Sequence, residues 1–92
     1  MDISESSKIE RNPDIIFSEI DNETVMMDKD FESYFGLAEI GSRIWEELAK
    51  QQTVKSLCET LMQEYDVSYA DCLNDVAELL SALQQQDMIL VD

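Results

Sequence analysis

The regular hydrophobic pattern of the chain begins near Pro13, after a polar stretch. Between residues 15 and 37, short β-prone runs alternate with acidic clusters that are typical of tight turns. The runs are IIFSEI, TVMM and ESYFGL, and the clusters between them are Asp21-Asn22-Glu23 and Asp28-Lys29-Asp30. Strands joined by such short links pair as antiparallel neighbours. The pattern therefore predicts a three-stranded antiparallel meander whose first and third strands form its edges.

After Leu37 the hydrophobic period lengthens to that of a helix, and three amphipathic helices are predicted. Thr53 is the expected cap of the second helix, and Ser68 that of the third, where Asp71 follows as in a capping box. The three apolar faces are Leu37, Ile40, Ile44, Trp45 and Leu48; Val54, Leu57, Cys58, Leu61, Met62 and Tyr65; and Cys72, Leu73, Val76, Leu79, Leu80 and Leu83. The fold class is α+β, a three-stranded antiparallel sheet followed by three helices.

The length of 92 residues predicts one domain, with residues 1–12 as a flexible N-terminal segment and residues 13–92 as the folded part. The apolar tail 88–91 is too short for a helix, so either a small added strand or a cover over the core is expected. No apolar run approaches the roughly 18 to 20 residues of a membrane span, and the N-terminus lacks the pattern of a signal peptide. A cytoplasmic protein without a membrane partner is expected.

The formal net charge of −15 opposes the phosphate neutralisation on which nucleic-acid binding depends. The third predicted helix carries acids and neither Lys nor Arg, which argues against a winged-helix DNA-binding regulator. No nucleic-acid partner is expected.

Catalytic and metal-binding chemistry is poorly supported because the chain has no His, the commonest general base and metal ligand. Cys58 and Cys72 follow helical spacing and are predicted to be core thiols. The acidic run that starts at Asp28 fails as a calcium loop because Ser33 stands where Gly is needed. We expect no enzyme activity, no metal and no cofactor.

With catalysis and metal binding poorly supported, the remaining candidate function is binding at a surface. The unpaired edge of a sheet presents free N–H and C=O groups that an added peptide strand can complete. The side chains that would line a groove beside such an edge are Phe31, Tyr34, Phe35, Val76, Leu79, Leu80 and Leu83. From the pattern alone, an ordinary core role for the same residues stays open.

The segment Tyr34-Phe35-Gly36-Leu37-Ala38-Glu39-Ile40-Gly41-Ser42-Arg43-Ile44-Trp45 resembles the signature of PqqD-like proteins, with Ala38 in place of the usual Asn. Thr53-Val54, Tyr65-Asp66-Val67 and Asp75-Val76 follow at the intervals expected for that family. The resemblance spans residues 13–91.

The resemblance implies a non-catalytic, winged-helix-like adaptor that binds the leader segment of a ribosomally made precursor peptide. The leader would add as a strand to the third strand and lie against the third helix. It implies these peptide-binding residues: Glu32, Ser33, Tyr34, Phe35, Gly36, Val76, Leu79, Leu80 and Leu83. The implied partners are the leader and, in a lasso-peptide pathway, a leader peptidase and a cyclase.

Two alternatives remain open. One is a peptide chaperone of the pyrroloquinoline quinone (PQQ) type, working with a radical enzyme. The other is an acidic protein-interaction module without a role in peptide maturation. Pairing of two copies through the exposed edge also stays open.

Overall fold

The structure is a computed structural model that describes residues 3–21, 23–27, 34–37 and 39–92. Within these ranges the chain forms six strands and three helices. In chain order they are β1 (Lys8–Arg11), β2 (Ile16–Ile20), β3 (Glu23–Met27), β4 (Tyr34–Leu37), α1 (Glu39–Glu47), β5 (Gln52–Thr53), α2 (Val54–Glu64), α3 (Tyr69–Gln85) and β6 (Ile89–Val91). The predicted α+β fold, with a three-stranded antiparallel sheet and three helices, is confirmed.

The predicted meander is the sheet β2-β3-β4, in which β3 pairs antiparallel with both of its neighbours. Ile20 pairs with Glu23 at the end of the first hairpin, and Asp21 after it has a φ of 51°. Asp tolerates this left-handed conformation better than most residues, which is the basis of the predicted turn. The second predicted turn, Asp28-Lys29-Asp30, lies outside the described residues.

The first helix is fixed to the meander by two close contacts. The hydroxyls of Thr24 in β3 and Ser42 in α1 form a buried hydrogen bond. At Gly41 a Cβ would lie 3.1 Å from Leu37 Cδ2, so the absence of a side chain lets the helix approach the end of β4 closely. The start of α1 is thereby held next to β4.

The structure differs from the predicted N-terminal boundary. Lys8–Arg11, expected within a flexible segment of residues 1–12, form β1, the central strand of a second sheet β5-β1-β6. Ile9 is fully buried there and pairs with Gln52 and Val91. Lys8–Arg11 contain a single apolar residue, which gives no periodic signal, whereas pairing with distant strands supplies the hydrogen bonds that hold β1.

The helix caps follow the sequence. Thr53 Oγ1 accepts a hydrogen bond from the Ser56 N–H at 3.1 Å, and Ser68 Oγ accepts one from the Asp71 N–H at 3.2 Å. Each side chain satisfies a backbone donor that the helix leaves free, as predicted.

The third helix ends in a Schellman motif. The Met88 N–H donates to the Leu83 carbonyl at 2.9 Å and the Asp87 N–H to the Gln84 carbonyl at 3.0 Å, while Asp87 has a φ of 57°. This reversal sends the chain into β6, so the tail adds a strand, which the sequence had left undecided.

One hydrophobic cluster joins both sheets and all three helices. Arg11 connects the sheets by donating its Nε to the Trp45 carbonyl at 2.8 Å, with its guanidinium over the Phe17 and Trp45 rings. Ile40 and Met62, predicted on core faces, are instead exposed at 54% and 36%. Both lie at the rim of their helix's apolar stripe, where periodicity does not separate core from surface.

Candidate functional site

The free edge of β4 is the first component of the site. Tyr34 to Leu37 pair with Met27 to Thr24 of β3 on one side. Among the described residues, no strand pairs with the other side of β4. Its outward N–H and C=O groups are therefore open to a peptide in extended conformation.

An apolar groove of about 170 Å³ is the second component. The groove opens where β4 leads into α1, because Ile40 in its wall lies in the first turn of that helix. Its lining consists of Ile40, Ile44, Leu61, Tyr65, Val67, Cys72, Asp75, Val76 and Leu79. A cavity of about 150 Å³ accommodates a benzene ring, so this groove holds one large apolar side chain.

The predicted peptide-binding residues lie in different parts of the structure. Val76 and Leu79 of α3 line the groove. Phe35 packs against the core, and Gly36 has open space where a Cβ would stand. Tyr34 takes part in β4 through its backbone, whereas Phe31, Glu32 and Ser33 lie outside the described residues.

The structure differs from the prediction for Leu80 and Leu83. Both side chains have no exposed surface and belong to the core behind α3. A helix turns by about 100° per residue, so Leu79 faces the groove while Leu80 turns inward. Neither buried leucine presents a surface to a peptide.

Seven residues of the groove lining were not among the predicted peptide-binding residues: Ile40, Ile44, Leu61, Tyr65, Val67, Cys72 and Asp75. Tyr65 and Val67 belong to the Tyr65-Asp66-Val67 segment that carries part of the family resemblance. The spacing of Ile40 and Ile44 is that of one helix face, but it does not reveal which structure the face meets. That information comes from the structure, in which Ile40 and Ile44 line the same groove as residues of α3.

An ion-pair cluster links α1 and α2 close to the groove. Arg43 donates from Nη2 and Nε to the two carboxylate oxygens of Glu64, at 2.6 and 2.9 Å, and from Nη1 to Glu47 at 2.7 Å. These bonds raise the pKa of Arg43 and lower that of Glu64. The cluster ties α1 to the end of α2, directly before Tyr65 in the groove.

The two cysteines are free and buried, which confirms the predicted core thiols. Burial, with a smaller effect of Cys72, raises the pKa of Cys58 to about 12. A thiol protonated at neutral pH is a poor nucleophile.

Among the described residues, no group of His, Cys, Asp and Glu is placed to hold a metal ion. Nor does any helix in the described part of the chain have the length and apolar character to cross a membrane.

The comparisons with known proteins identify a family and a similar solved structure. The model of the family "Coenzyme PQQ synthesis protein D (PqqD)" matches residues 23–89, which include β4, α1 and α3. Comparison with curated proteins gives no significant match. A solved structure described as "TbiB1 in Complex with the TbiA(beta) Leader Peptide" superposes with a TM-score of 0.80 at 26% identity. The match covers 87% of this chain and 93% of that one. With the family model matching well over half of its length, the chain belongs to the PqqD family of precursor-peptide recognition elements.

Proposed function

We propose that the protein binds the leader segment of a ribosomally synthesised precursor peptide by adding it as a strand to β4. The observation that carries the proposal is the free β4 edge beside an apolar groove. The similar protein TbiB1 was solved in complex with a leader peptide, which supports the same class of ligand. Main-chain pairing supplies affinity, and the groove selects a side chain.

The proposal is that of an adaptor without catalytic activity. Its thiols are buried, and the sequence contains no His to act as a base. The adaptor presents the bound precursor to enzymes that act on the core segment, in the cytoplasm where the precursor is made. For these enzymes we propose a leader peptidase and a cyclase of a lasso-peptide pathway.

The family description favours a second candidate for the modifying enzyme. It names the synthesis of coenzyme PQQ, so the alternative enzyme is a radical enzyme acting on the same presented precursor. Copurification of the protein with each enzyme encoded beside its gene, in the presence and absence of the leader, distinguishes the two. Leader binding itself is common to both.

The test of leader binding uses the full chain, isotope-labelled, and the precursor peptide encoded beside its gene, divided into leader and core halves. We expect the leader half to shift amide signals of β4 and of the groove residues Ile40 and Leu79, and the core half to shift none. Binding of the core half alone, or leader binding that leaves β4 unchanged, would overturn the proposal. Analytical ultracentrifugation at the same concentrations shows whether two copies pair through this edge and whether the leader displaces that pairing.

A further inference from the structure

The negative charge next to the groove bears on the chemistry of the peptide that the groove binds. Asp75 lines the groove itself, between the apolar positions Cys72 and Leu79 of α3. Asp71 and Glu78 are exposed on the same side of the helix, at spacings of four and three residues from Asp75. The helix therefore carries three carboxylates on one side, of which Asp75 lines the groove and the other two flank it along the helix; they are hereafter the acidic rim (Asp71, Asp75 and Glu78).

No cation of the protein neutralises this rim within its own helix, because α3 contains neither Lys nor Arg. Arg43 lies across Tyr65 in a neighbouring polar depression, but it is already bound by Glu47 and Glu64. That depression adds the carboxylates of Glu19 and Glu39 on the other side of Tyr65. A ligand side chain that enters the groove is thus flanked by negative charge.

The spacing of the rim suits an extended peptide. Leu79 in the groove and Asp75 of the acidic rim are four residues apart, or about 6 Å along the helix axis at a rise of about 1.5 Å per residue. Side chains on one face of a strand repeat every two residues, or about 6.6 Å. A strand lying along α3 can therefore place an apolar side chain in the groove and a second side chain of the same face beside a rim carboxylate.

We propose that the groove binds a leader segment with a large apolar residue and a Lys or Arg two positions away, paired with the acidic rim. The inference rests on the proposed function and names the chemistry of its ligand. Burial of the apolar residue stabilises the complex. The cation fixes the register of the peptide along the groove and speeds its association with the acidic protein. Exposed ion pairs are weak, so the cation is expected to contribute about three- to tenfold in affinity at low salt and less at high salt.

The test is a selection of randomised displayed peptides on three versions of the full chain. These are the wild type, a rim variant with Asp75→Asn and Glu78→Gln, and a control with Asp14→Asn and Glu59→Gln. The control removes the same charge from exposed positions that do not line the groove. It therefore separates pairing at the rim from the general attraction of an acidic protein for basic peptides.

The expected result is that wild type and control both select an apolar residue with Lys or Arg two positions away, and that the rim variant keeps only the apolar residue. Fluorescence anisotropy on a selected peptide, with Lys replaced by Met, should show the three- to tenfold loss on the wild type and none on the rim variant. Apolar selection without a nearby cation, or equal loss of the cation in rim variant and control, would overturn the inference and leave the proposed function intact.

A further arm tests the proposed function separately. Selected peptides are measured on Ile40→Asp, which places a charge in the groove wall at an exposed position. We expect their binding to fall. If they bind this variant unchanged, or if the wild type selects no peptide, the groove is not the binding site, and the proposed function is overturned together with the inference.

Discussion

The two edges of the meander, β2 and β4, share one sheet but differ in their surroundings. All five residues of β2 are exposed, and within the described chain β2 pairs with β3 alone. The outer edge of β4 is equally unpaired, but Ile40, three residues after the end of β4, lines the apolar groove between α1, α2 and α3. Both edges offer backbone hydrogen bonds. The depression that Glu19 of β2 lines is mainly polar, whereas the groove that follows β4 along the chain is apolar and suits a large apolar side chain.

The difference shows that an open edge does not by itself define a peptide site. Backbone groups pair with any strand, so specificity depends on pockets for alternate side chains. On β2 the inward Phe17 is used for packing, with its ring edge-to-face on Trp45 at a centroid distance of 5.5 Å. The glutamate at position 19 adds charge to that strand, a common protection of an exposed edge. The comparison therefore favours β4 as the edge for the proposed leader binding.

The largest effect is expected from a charge placed at each edge. Ile40 at the groove and Ile20 at the end of β2 are exposed to similar extents, 54% and 59%. Ile40→Asp should weaken leader binding by about 10- to 100-fold, because an apolar ligand side chain would meet an unpaired carboxylate. Ile20→Asp, the matched control, should change it less than about twofold. Isothermal titration calorimetry measures the leader affinity of both variants, and circular dichroism verifies that they are folded. Equal losses of affinity would show that the two edges do not differ in leader binding.

Proline substitutions test the backbone of each edge. Successive residues of an edge strand direct their N–H groups alternately inward and outward. One of Tyr34→Pro and Phe35→Pro should therefore keep the fold and lose leader binding by about tenfold, through a missing hydrogen bond. Tyr34→Ala and Phe35→Ala control for the side chains.

The same change on the other edge provides the contrast. Of Ser18→Pro and Glu19→Pro in β2, the folded variant should bind the leader as the wild type does. The affinities come from fluorescence anisotropy with a labelled leader. If a folded β2 variant loses leader binding while both β4 variants bind as the wild type does, the leader binds at β2 and not at β4.

A smaller effect is expected from the ion pair that links α1 and α2 close to the groove. Arg43→Met should weaken leader binding by about two- to threefold, because Tyr65 loses its neighbouring anchor. Glu64 has a lowered pKa in the folded state, so the ion pair stabilises the fold above the ordinary pKa of Glu and ceases to do so as the pH falls through the lowered value. The difference in urea midpoint between wild type and Arg43→Met should therefore be present at pH 7 and shrink in acid. A difference that grows in acid would contradict this origin.

Local patterns account for what could be predicted from the sequence. The meander and the helices follow from alternation, helical periodicity and the caps Thr53 and Ser68. The second sheet could not be predicted, because its two- to four-residue strands bring Ile9 beside Val91 from opposite ends of the chain. For the same reason, Leu79 in the groove could not be separated from Leu80 in the core before the position of α1 was known.

Hydrogen exchange of the full chain, with and without the leader peptide, tests the choice of edge most directly. Strand addition turns outward amides into hydrogen-bond donors, which slows their exchange. We predict that saturating leader slows exchange at alternate residues of Tyr34–Leu37 and leaves Ile16–Ile20 unchanged. Slowed exchange in Ile16–Ile20 with Tyr34–Leu37 unchanged would contradict the account.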